Sequence, residues 1–413
     1  MNRALGVSAS LSRPMRNAGA RPSADWRRPL SIALSVQVAT SVMDMAVPVL
    51  GPAITASAGV PASYVGYYAS AAAAGAILFY LCGAGLVRRI GPERTLQIGC
   101  LVSAAGLLLL LSQQWWLMLA AGLMVGLGFG TNAPASGLLL QGAVPQRRRR
   151  LAFSVKQAGA PFGALLAGLG LPFLAAAFTW QVALLAAATL GVVALVCVAL
   201  SAPRTSRIVG SQGRTEAPAG GLAWQVFLAL LRRDPLRRLI AVGALLAFVQ
   251  GSLNAFLVTY LVTELDLSFI FAGGLYAAFQ AASIPGRILC GWLGDRQSFQ
   301  VNLLPVLGLA SATAVVPLAF LTAGASVLAI VSIVLAAGFV AGSWNGVLLA
   351  EAAEAAPEDR VAEVQNVVAI GIFGGFLLGP LAFAVVVSAA DYQIALIVLA
   401  IGAVLSAIVA KWA

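Results

Sequence analysis

The sequence predicts an all-α membrane protein whose twelve transmembrane helices form two pseudo-symmetric six-helix bundles. Of the 413 residues, 61% are hydrophobic and only 9% are charged, a composition far outside the range of soluble domains. Twelve apolar windows each approach or exceed the ~20 residues that a helix needs to cross the hydrocarbon core. The second half of the chain also repeats polar and glycine positions of the first half.

Alanine, leucine and glycine dominate these windows. Small residues allow helices to pack closely in lipid, where hydrophobic burial does not drive helices together. In chain order, the windows cover residues 30–54, 64–87, 95–112, 116–141, 152–176, 180–201, 238–263, 269–292, 301–322, 326–350, 363–388 and 391–410.

A long polar segment, rich in Ser, Gly, Pro and Arg, lies between the sixth and seventh windows and divides the chain into two halves. Within this segment, apolar residues at helical spacing over 221–233 predict an interfacial helix. We therefore expect a cytoplasmic tail, an N-terminal bundle, a cytoplasmic linker that contains this helix, and a C-terminal bundle. Their boundaries are predicted at residues 1–28, 29–201, 202–237 and 238–413.

The net charge of +11 indicates membrane topology rather than nucleic-acid binding. Basic residues cluster in the tail, in Arg147–Arg150 and in the linker, whereas the loops on the opposite side contain none. Such asymmetry places the basic side in the cytoplasm and favours contact with anionic lipid. We expect a multi-pass protein of the plasma (inner) membrane with both termini in the cytoplasm.

Several classes of chemistry are disfavoured by the residues that the chain lacks. It contains no histidine, and its four cysteines lie within apolar windows at unrelated spacings, which is typical of small buried side chains. Neither a nucleotide-binding loop nor a catalytic triad nor a metal cluster is visible. We therefore expect no enzyme activity, no cofactor, no bound metal and no ATP-driven pumping by this chain.

The two halves match in three places when they are shifted by about 207 residues, the arrangement of parallel six-helix repeats. The segment 84–89 aligns with 291–296, Asn132 with Asn345, and the segment 150–156 with 360–366. Repeats of this kind build transporters whose substrate site lies between the halves, near the middle of the membrane.

The segments around residues 90 and 295 resemble the signature that follows the second helix of each half in the major facilitator superfamily (MFS). The second copy keeps Gly291, Asp295 and Arg296, whereas the first copy keeps Arg89, Gly91 and Arg94. The first copy has Arg88 where the family places the acid that latches the cytoplasmic side. The acids between the tenth and eleventh windows offer a swapped-charge latch, or they form a solvated helix end: Glu351, Glu354, Glu358, Asp359 and Glu363.

The resemblance extends over residues 29–411 and implies an MFS fold. A helix break over Gly159-Ala160-Pro161-Phe162-Gly163 is similar to the fifth-helix motif of exchangers and drug exporters in this family. The family's pathway is lined by helices one, four, seven and ten. This implies that five polar residues contact the substrate, although each is also typical of helix–helix contacts: Asn132, Gln250, Asn254, Trp344 and Asn345.

Charged residues inside the windows are costly in lipid and mark candidate functional positions. Asp44 is too short to reach water from its depth, so it either carries the coupled proton or forms a structural hydrogen bond. Arg287 resembles the carboxylate-binding arginine of monocarboxylate and oxalate carriers, and its planar guanidinium suits a bidentate contact. Alternatively, Arg287 extends towards the membrane surface or pairs with an acid of the chain. Lys156 either contributes to substrate binding or extends towards the cytoplasmic surface.

We predict a secondary active transporter that moves a small organic anion, a carboxylate, together with protons by alternating access between the two halves. An efflux antiporter for drugs or other amphipathic compounds is the alternative within the same superfamily. A membrane receptor built on a transporter fold is a more remote one. The expected partners are a small-molecule substrate, protons and the lipid bilayer, without nucleic acid, and we expect the protein to be a monomer.

Overall fold

A computed structural model describes residues 26–201, 234–294, 302–356 and 361–411 of the chain. Within these ranges the protein is helical, with twelve helices that are long and apolar enough to cross a membrane. The predicted fold class is therefore confirmed. The predicted tail over 1–28 lies almost entirely outside the described residues, as does the interfacial helix predicted over 221–233.

The membrane-spanning helices are numbered α1 to α12 in chain order. They are α1 (Arg27–Ala58), α2 (Tyr64–Cys82), α3 (Pro92–Ser112), α4 (Trp115–Ala143), α5 (Gln146–Ala177), α6 (Trp180–Ser201), α7 (Asp234–Thr263), α8 (Phe269–Gly294), α9 (Leu303–Phe320), α10 (Val327–Glu354), α11 (Glu363–Ala389) and α12 (Tyr392–Lys411).

The helices follow the apolar windows, with local signals that set their ends. Gly59 adopts a left-handed conformation (φ 65°) just after α1 and its backbone N–H bonds the carbonyls of Thr55 and Ala56, a common way to end a helix. The first turn of α7 begins earlier than its window, at Asp234, which pairs with Arg237 at 2.6 Å. An acid at this end favours helix formation because it interacts with the positive end of the helix dipole.

The helix contacts repeat between the two halves. In the N-terminal half, α1 packs against α5 and α6, α2 against α4, and α3 against α6. In the C-terminal half, α7 packs against α11 and α12, α8 against α10, and α9 against α12. These are the same four pairs under the six-helix repeat, which confirms the pseudo-symmetry predicted from the sequence.

Glycines bring the paired helices into backbone contact at equivalent positions. A Cβ added at Gly126 on α4 would overlap the carbonyl oxygen of Ala72 on α2, and one at Gly338 on α10 would overlap that of Phe279 on α8. Helices that approach this closely gain dispersion contacts that lipid cannot replace. The glycine content of the windows therefore serves helix packing within each half.

The two halves meet along two seams, α2 with α11 and α5 with α8, and α1 also packs against α7. The α2–α11 seam contains a hydrogen bond from Ser388 to Ser63 of 2.9 Å and one from Ser70 to the carbonyl of Leu377 of 2.8 Å. These contacts lie towards the loops that contain no basic residue, which we call the outer side. The structure is closed on its outer side.

Candidate functional site

The centre of the molecule is formed by α1 and α7. In the most apolar part of each helix, the buried share is 61% for α1 and 72% for α7, whereas it is 39% to 50% for the other ten membrane helices. Side chains of α1 and α7 that keep exposed surface in mid-membrane therefore face an internal space between the halves. Asp44 on α1 and Asn254 on α7 are such side chains, since each is half-buried.

Asp44 lies ~21 Å from the outer end of α1, at 1.5 Å per residue. Among the described residues, its carboxylate forms neither a hydrogen bond nor an ion pair. The phenol groups of Tyr68 on α2 and Tyr276 on α8 lie within electrostatic range of it, and the Tyr68 hydroxyl is buried without a partner. The position combines a half-buried carboxyl group with two phenol groups that are close enough to interact with it electrostatically.

An amide network connects the helices of the C-terminal half at this level. The Nε2 group of Gln280 donates to Asn254 Oδ1 at 3.0 Å and to the Tyr276 hydroxyl at 2.9 Å. The Tyr276 hydroxyl in turn contacts the Sδ atom of Met45 on α1 at 2.9 Å. Gln280, Tyr276 and Met45 were not among the predicted site residues, because their role depends on contacts between distant helices.

Helices α4 and α10 are interrupted at equivalent places, directly before predicted site residues. Thr131 separates Trp115–Gly130 from Asn132–Ala143, and Gly342 and Ser343 separate Val327–Ala341 from Trp344–Glu354. Interrupted membrane helices free backbone groups that must find other partners. On α10, the carbonyl of Gly342 accepts a hydrogen bond from Arg287.

The neutral polar residues predicted at these interruptions differ in their surroundings. Asn132 is buried, with Nδ2 donating to Thr40 at 2.9 Å and Oδ1 without a partner, while Asn345 donates to Gln250 at 3.3 Å. Trp344, by contrast, is fully buried in an apolar cluster, and its indole N–H bonds the carbonyl of Ala341. In this conformation Trp344 therefore contributes to packing rather than to the surface of the internal space.

The Arg287 side chain on α8 is held by a hydrogen bond from the Nε group of its guanidinium. Its Nε donates to the carbonyl of Gly342 at 2.8 Å, and the side chain is half-buried. Among the described residues it has no carboxylate within 4.0 Å. Because Nε is engaged and the two Nη groups form no hydrogen bond with the described residues, the fork of N–H donors is available to a ligand.

Lys156 on α5 lies in the opposite half at a similar depth, since it is ~10 Å from Arg149, where the α-helical part of α5 begins, and Arg287 is ~10 Å from Gly294 on α8. The Lys156 side chain is 3% exposed, and its ammonium group donates to Gln157 Oε1 at 3.2 Å. Among the described residues, no carboxylate lies within 4.0 Å of it. The two cations thus lie on the two helices of the α5–α8 seam without a counterion from the described part of the chain.

The predicted break in α5 does not occur, because the helix is continuous from Arg149 to Ala177. Gly159 and Gly163 instead allow α1 to approach: a Cβ at Gly163 would lie 2.5 Å from the carbonyl oxygen of Val38. These glycines therefore allow α5, the helix that carries Lys156, to pack closely against α1.

The first predicted gating signature lies in the short helix Ala84–Ile90 and the turn after it. Gly91 has φ 86°, a conformation that favours glycine, and Arg89 and Arg94 are exposed on either side. Arg88 lies in the last turn of this helix together with Arg89. In the second copy, Gly291 lies on α8, whereas Asp295 and Arg296 lie outside the described residues.

Over the described residues, no group of three or more cysteine or acidic side chains could hold a metal ion. The architecture is that of a membrane transporter in which two equivalent six-helix halves surround a central polar site. A family model for the Major Facilitator Superfamily matches residues 32–367, and the chain belongs to this family. The predicted family is confirmed, and with it a transporter rather than an enzyme.

Two curated relatives come from Mycobacterium tuberculosis, strains CDC 1551 / Oshkosh and ATCC 25618 / H37Rv, and each is described as an uncharacterized MFS-type transporter. Both are 24% identical to this chain over 284 residues, which is 68% of this chain. The match spans 61% of the length of these relatives.

Solved structures share the fold over most of the chain. A bacterial homologue of the human lysosomal transporter Spinster, inward-facing and occupied, has a TM-score of 0.75 at 15% identity, over 93% of this chain and 95% of that one. The nucleoside transporter NupG has a TM-score of 0.75 at 14% identity, over 93% of this chain and 99% of that one. A POT family transporter bound to 5-aminolevulinic acid has a TM-score of 0.71 at 14% identity, over 92% of this chain and 95% of that one.

Proposed function

We propose that this chain is a secondary active transporter for a small organic anion, a carboxylate, which it moves together with protons. The observation that carries the proposal is the pair of cations, Arg287 and Lys156, at matching depth in opposite halves. Neither has a carboxylate within 4.0 Å among the described residues. A charge that is kept away from water without a partner is strongly unfavourable, so an anionic substrate would supply the missing interaction.

Arg287 is the better placed of the two to bind a carboxylate directly. Its Nε–H bond to Gly342 orients the guanidinium, and the two Nη groups present parallel N–H donors. Lys156 would contribute positive potential from the other half. A substrate that contacts both halves would stabilise their approach on the cytoplasmic side, which alternating access requires.

Uptake into proteoliposomes tests this proposal. Purified protein would be reconstituted and offered a panel of labelled carboxylates, cationic amphipathic compounds and nucleosides, each with and without an imposed proton gradient. The proposal expects accumulation of a carboxylate that increases when the proton gradient is directed inwards. Transport of cationic amphipaths alone, against the proton gradient, would instead identify the efflux antiporter.

Asp44 is proposed to carry the coupled proton, because its carboxylate is accessible and has no fixed partner among the described residues. Asp44→Asn should abolish accumulation driven by a pH gradient, since the amide cannot change its charge, while exchange of substrate at equal pH should remain measurable. Gradient-driven uptake equal to that of the parent would reduce Asp44 to a structural role. Gln280→Leu, which disturbs the neighbouring amide network, controls for a loss of packing.

We further propose that the outer side faces the periplasm or medium and that both termini lie in the cytoplasm of the cell. In a cysteine-free background, Ser57→Cys in the exposed last turn of α1 should react with a membrane-impermeant maleimide in intact cells. Gln146→Cys, exposed at the start of α5, should react only after the membrane is permeabilised. The reverse pattern would overturn the orientation.

A further inference from the structure

Two amide side chains lie next to the point where Arg287 contacts α10. Arg287 donates from Nε to the carbonyl of Gly342 at 2.8 Å. Three residues further along α10, Asn345 donates from Nδ2 to Gln250 Oε1 on α7 at 3.3 Å. Helices α7, α8 and α10 also pack against one another. Consecutive contacts within one half of the molecule therefore join the guanidinium to this amide pair.

A second amide pair continues the row of polar side chains. Asn254 lies four residues after Gln250, ~6 Å further along the axis of α7, and its Oδ1 accepts a hydrogen bond from Gln280 on α8 at 3.0 Å. Gln280 precedes Arg287 by seven residues, which is two turns or ~10 Å along the same face of α8. We call Arg287 and these two amide pairs the amide stripe.

Three amide groups of the stripe have one end free. Among the described residues, no hydrogen bond is formed by Asn345 Oδ1, Gln250 Nε2 or Asn254 Nδ2. None of these atoms is buried away from water, so they border the internal space between the halves. Together they offer one acceptor and two donors, which suits hydroxyl groups because a hydroxyl both donates and accepts.

The equivalent amide in the N-terminal half is closed off from the internal space. Asn132 aligns with Asn345 and donates to Thr40 on α1 at 2.9 Å. Asn132 and Thr40 are only 2% and 1% exposed, whereas Asn345 is half-buried. The repeat therefore serves packing in the first half and presents free polar groups in the second.

We propose that the transported anion is a polyhydroxylated carboxylate, that is, a sugar acid. Arg287 binds its carboxylate through the Nη groups, and the free amide ends of Asn345, Gln250 and Asn254 bind hydroxyl groups along its chain. This inference rests on the proposed function, because it takes anion binding by Arg287 as given. An unsubstituted acid would displace water from the amide ends without replacing its hydrogen bonds, which is unfavourable.

Calorimetric titration of the purified, full-length protein with gluconate and hexanoate tests this preference. The two acids have the same number of carbon atoms and the same charge, but only gluconate carries hydroxyl groups. We expect gluconate to bind at least about tenfold more tightly, because the amide ends then keep hydrogen-bond partners. Burial of apolar surface alone would favour hexanoate, so the order of the two affinities is diagnostic.

Asn345→Leu removes both ends of one amide and keeps a side chain of similar size. It should weaken gluconate binding by about 5- to 30-fold and change hexanoate binding by less than about twofold. Asn254→Leu, in the second pair, should show the same pattern and tests the proposal independently of whether Asn345→Leu folds. Gln141→Leu is the matched control, because Gln141 is an exposed amide near the end of α4, and it should leave both affinities as they are.

Equal weakening of both acids by the two substitutions in the stripe would mean that the amides only support the fold, and the proposal would be wrong. If the parent bound hexanoate as tightly as gluconate, the preference for hydroxyl groups would be wrong while anion binding stood. If it bound neither acid, this proposal would fail, and binding of neutral or cationic compounds instead would overturn the proposed function as well.

Discussion

Replacing Arg287 with glutamine should weaken carboxylate binding by roughly 30- to 5,000-fold, the range expected when one partner of a desolvated charge pair is removed. The parent guanidinium is fixed by its bond to the carbonyl of Gly342 and presents its remaining N–H donors to the ligand. Glutamine keeps a donor for this carbonyl but lacks the positive charge and the bidentate fork. Titration of purified protein with the transported acid measures the effect.

Two further variants make this result specific. Arg287→Lys keeps the charge but loses the planar fork, so we expect it to restore only a small part of the lost affinity. Arg237→Gln removes an exposed arginine in the first turn of α7, which pairs with Asp234, and it should leave binding unchanged. Carboxylate binding by Arg287→Gln equal to that of the parent would contradict the role of Arg287 in the site.

The membrane helices were predictable because each depends on local sequence. A span needs a run of apolar residues, and the window over 180–201 coincides with α6, Trp180–Ser201. The repeat of the helix contacts in the second half was predictable for a different reason, because the two halves share one pattern of positions. Helix ends moved, as at Asp234, where an acid extends α7 beyond its apolar window, and the break predicted in α5 is absent.

The candidate site was predictable only in part, because depth follows from sequence but contacts do not. The positions of Lys156 and Arg287 along their helices fix their distance from the cytoplasmic end. The carbonyl of Gly342, which orients Arg287, becomes free because α10 is interrupted there, 55 residues further along the chain. No local sequence pattern predicts the contact between these two residues. In the same way, the sequence places Trp344 on a pathway helix but does not reveal that its side chain is fully buried.

The contact between Gly168 and Gly273 holds the outer side closed, and substituting Gly273 should open it. A Cβ on Gly273 would overlap Pro172 on α5 and lie 2.6 Å from the carbonyl oxygen of Gly168. In Gly273→Leu, the larger side chain therefore destabilises the closed arrangement by about 1–3 kcal/mol, the usual effect of overpacking. A state in which α5 and α8 separate on the outer side avoids the overlap, so the variant should populate that state about 5- to 150-fold more than the parent.

Reactivity of a cysteine at position 63 measures this shift. Ser63 is 4% exposed and accepts a hydrogen bond from Ser388 across the other seam, so Ser63→Cys should be protected while the outer side is closed. In a cysteine-free background in detergent, its maleimide labelling should be faster in Gly273→Leu than in the parent. Gly274→Leu is the matched control, because a Cβ there meets nothing within 4 Å. Equal labelling rates in the two leucine variants, with thermal stability retained, would show that the glycine contact does not hold the outer side closed.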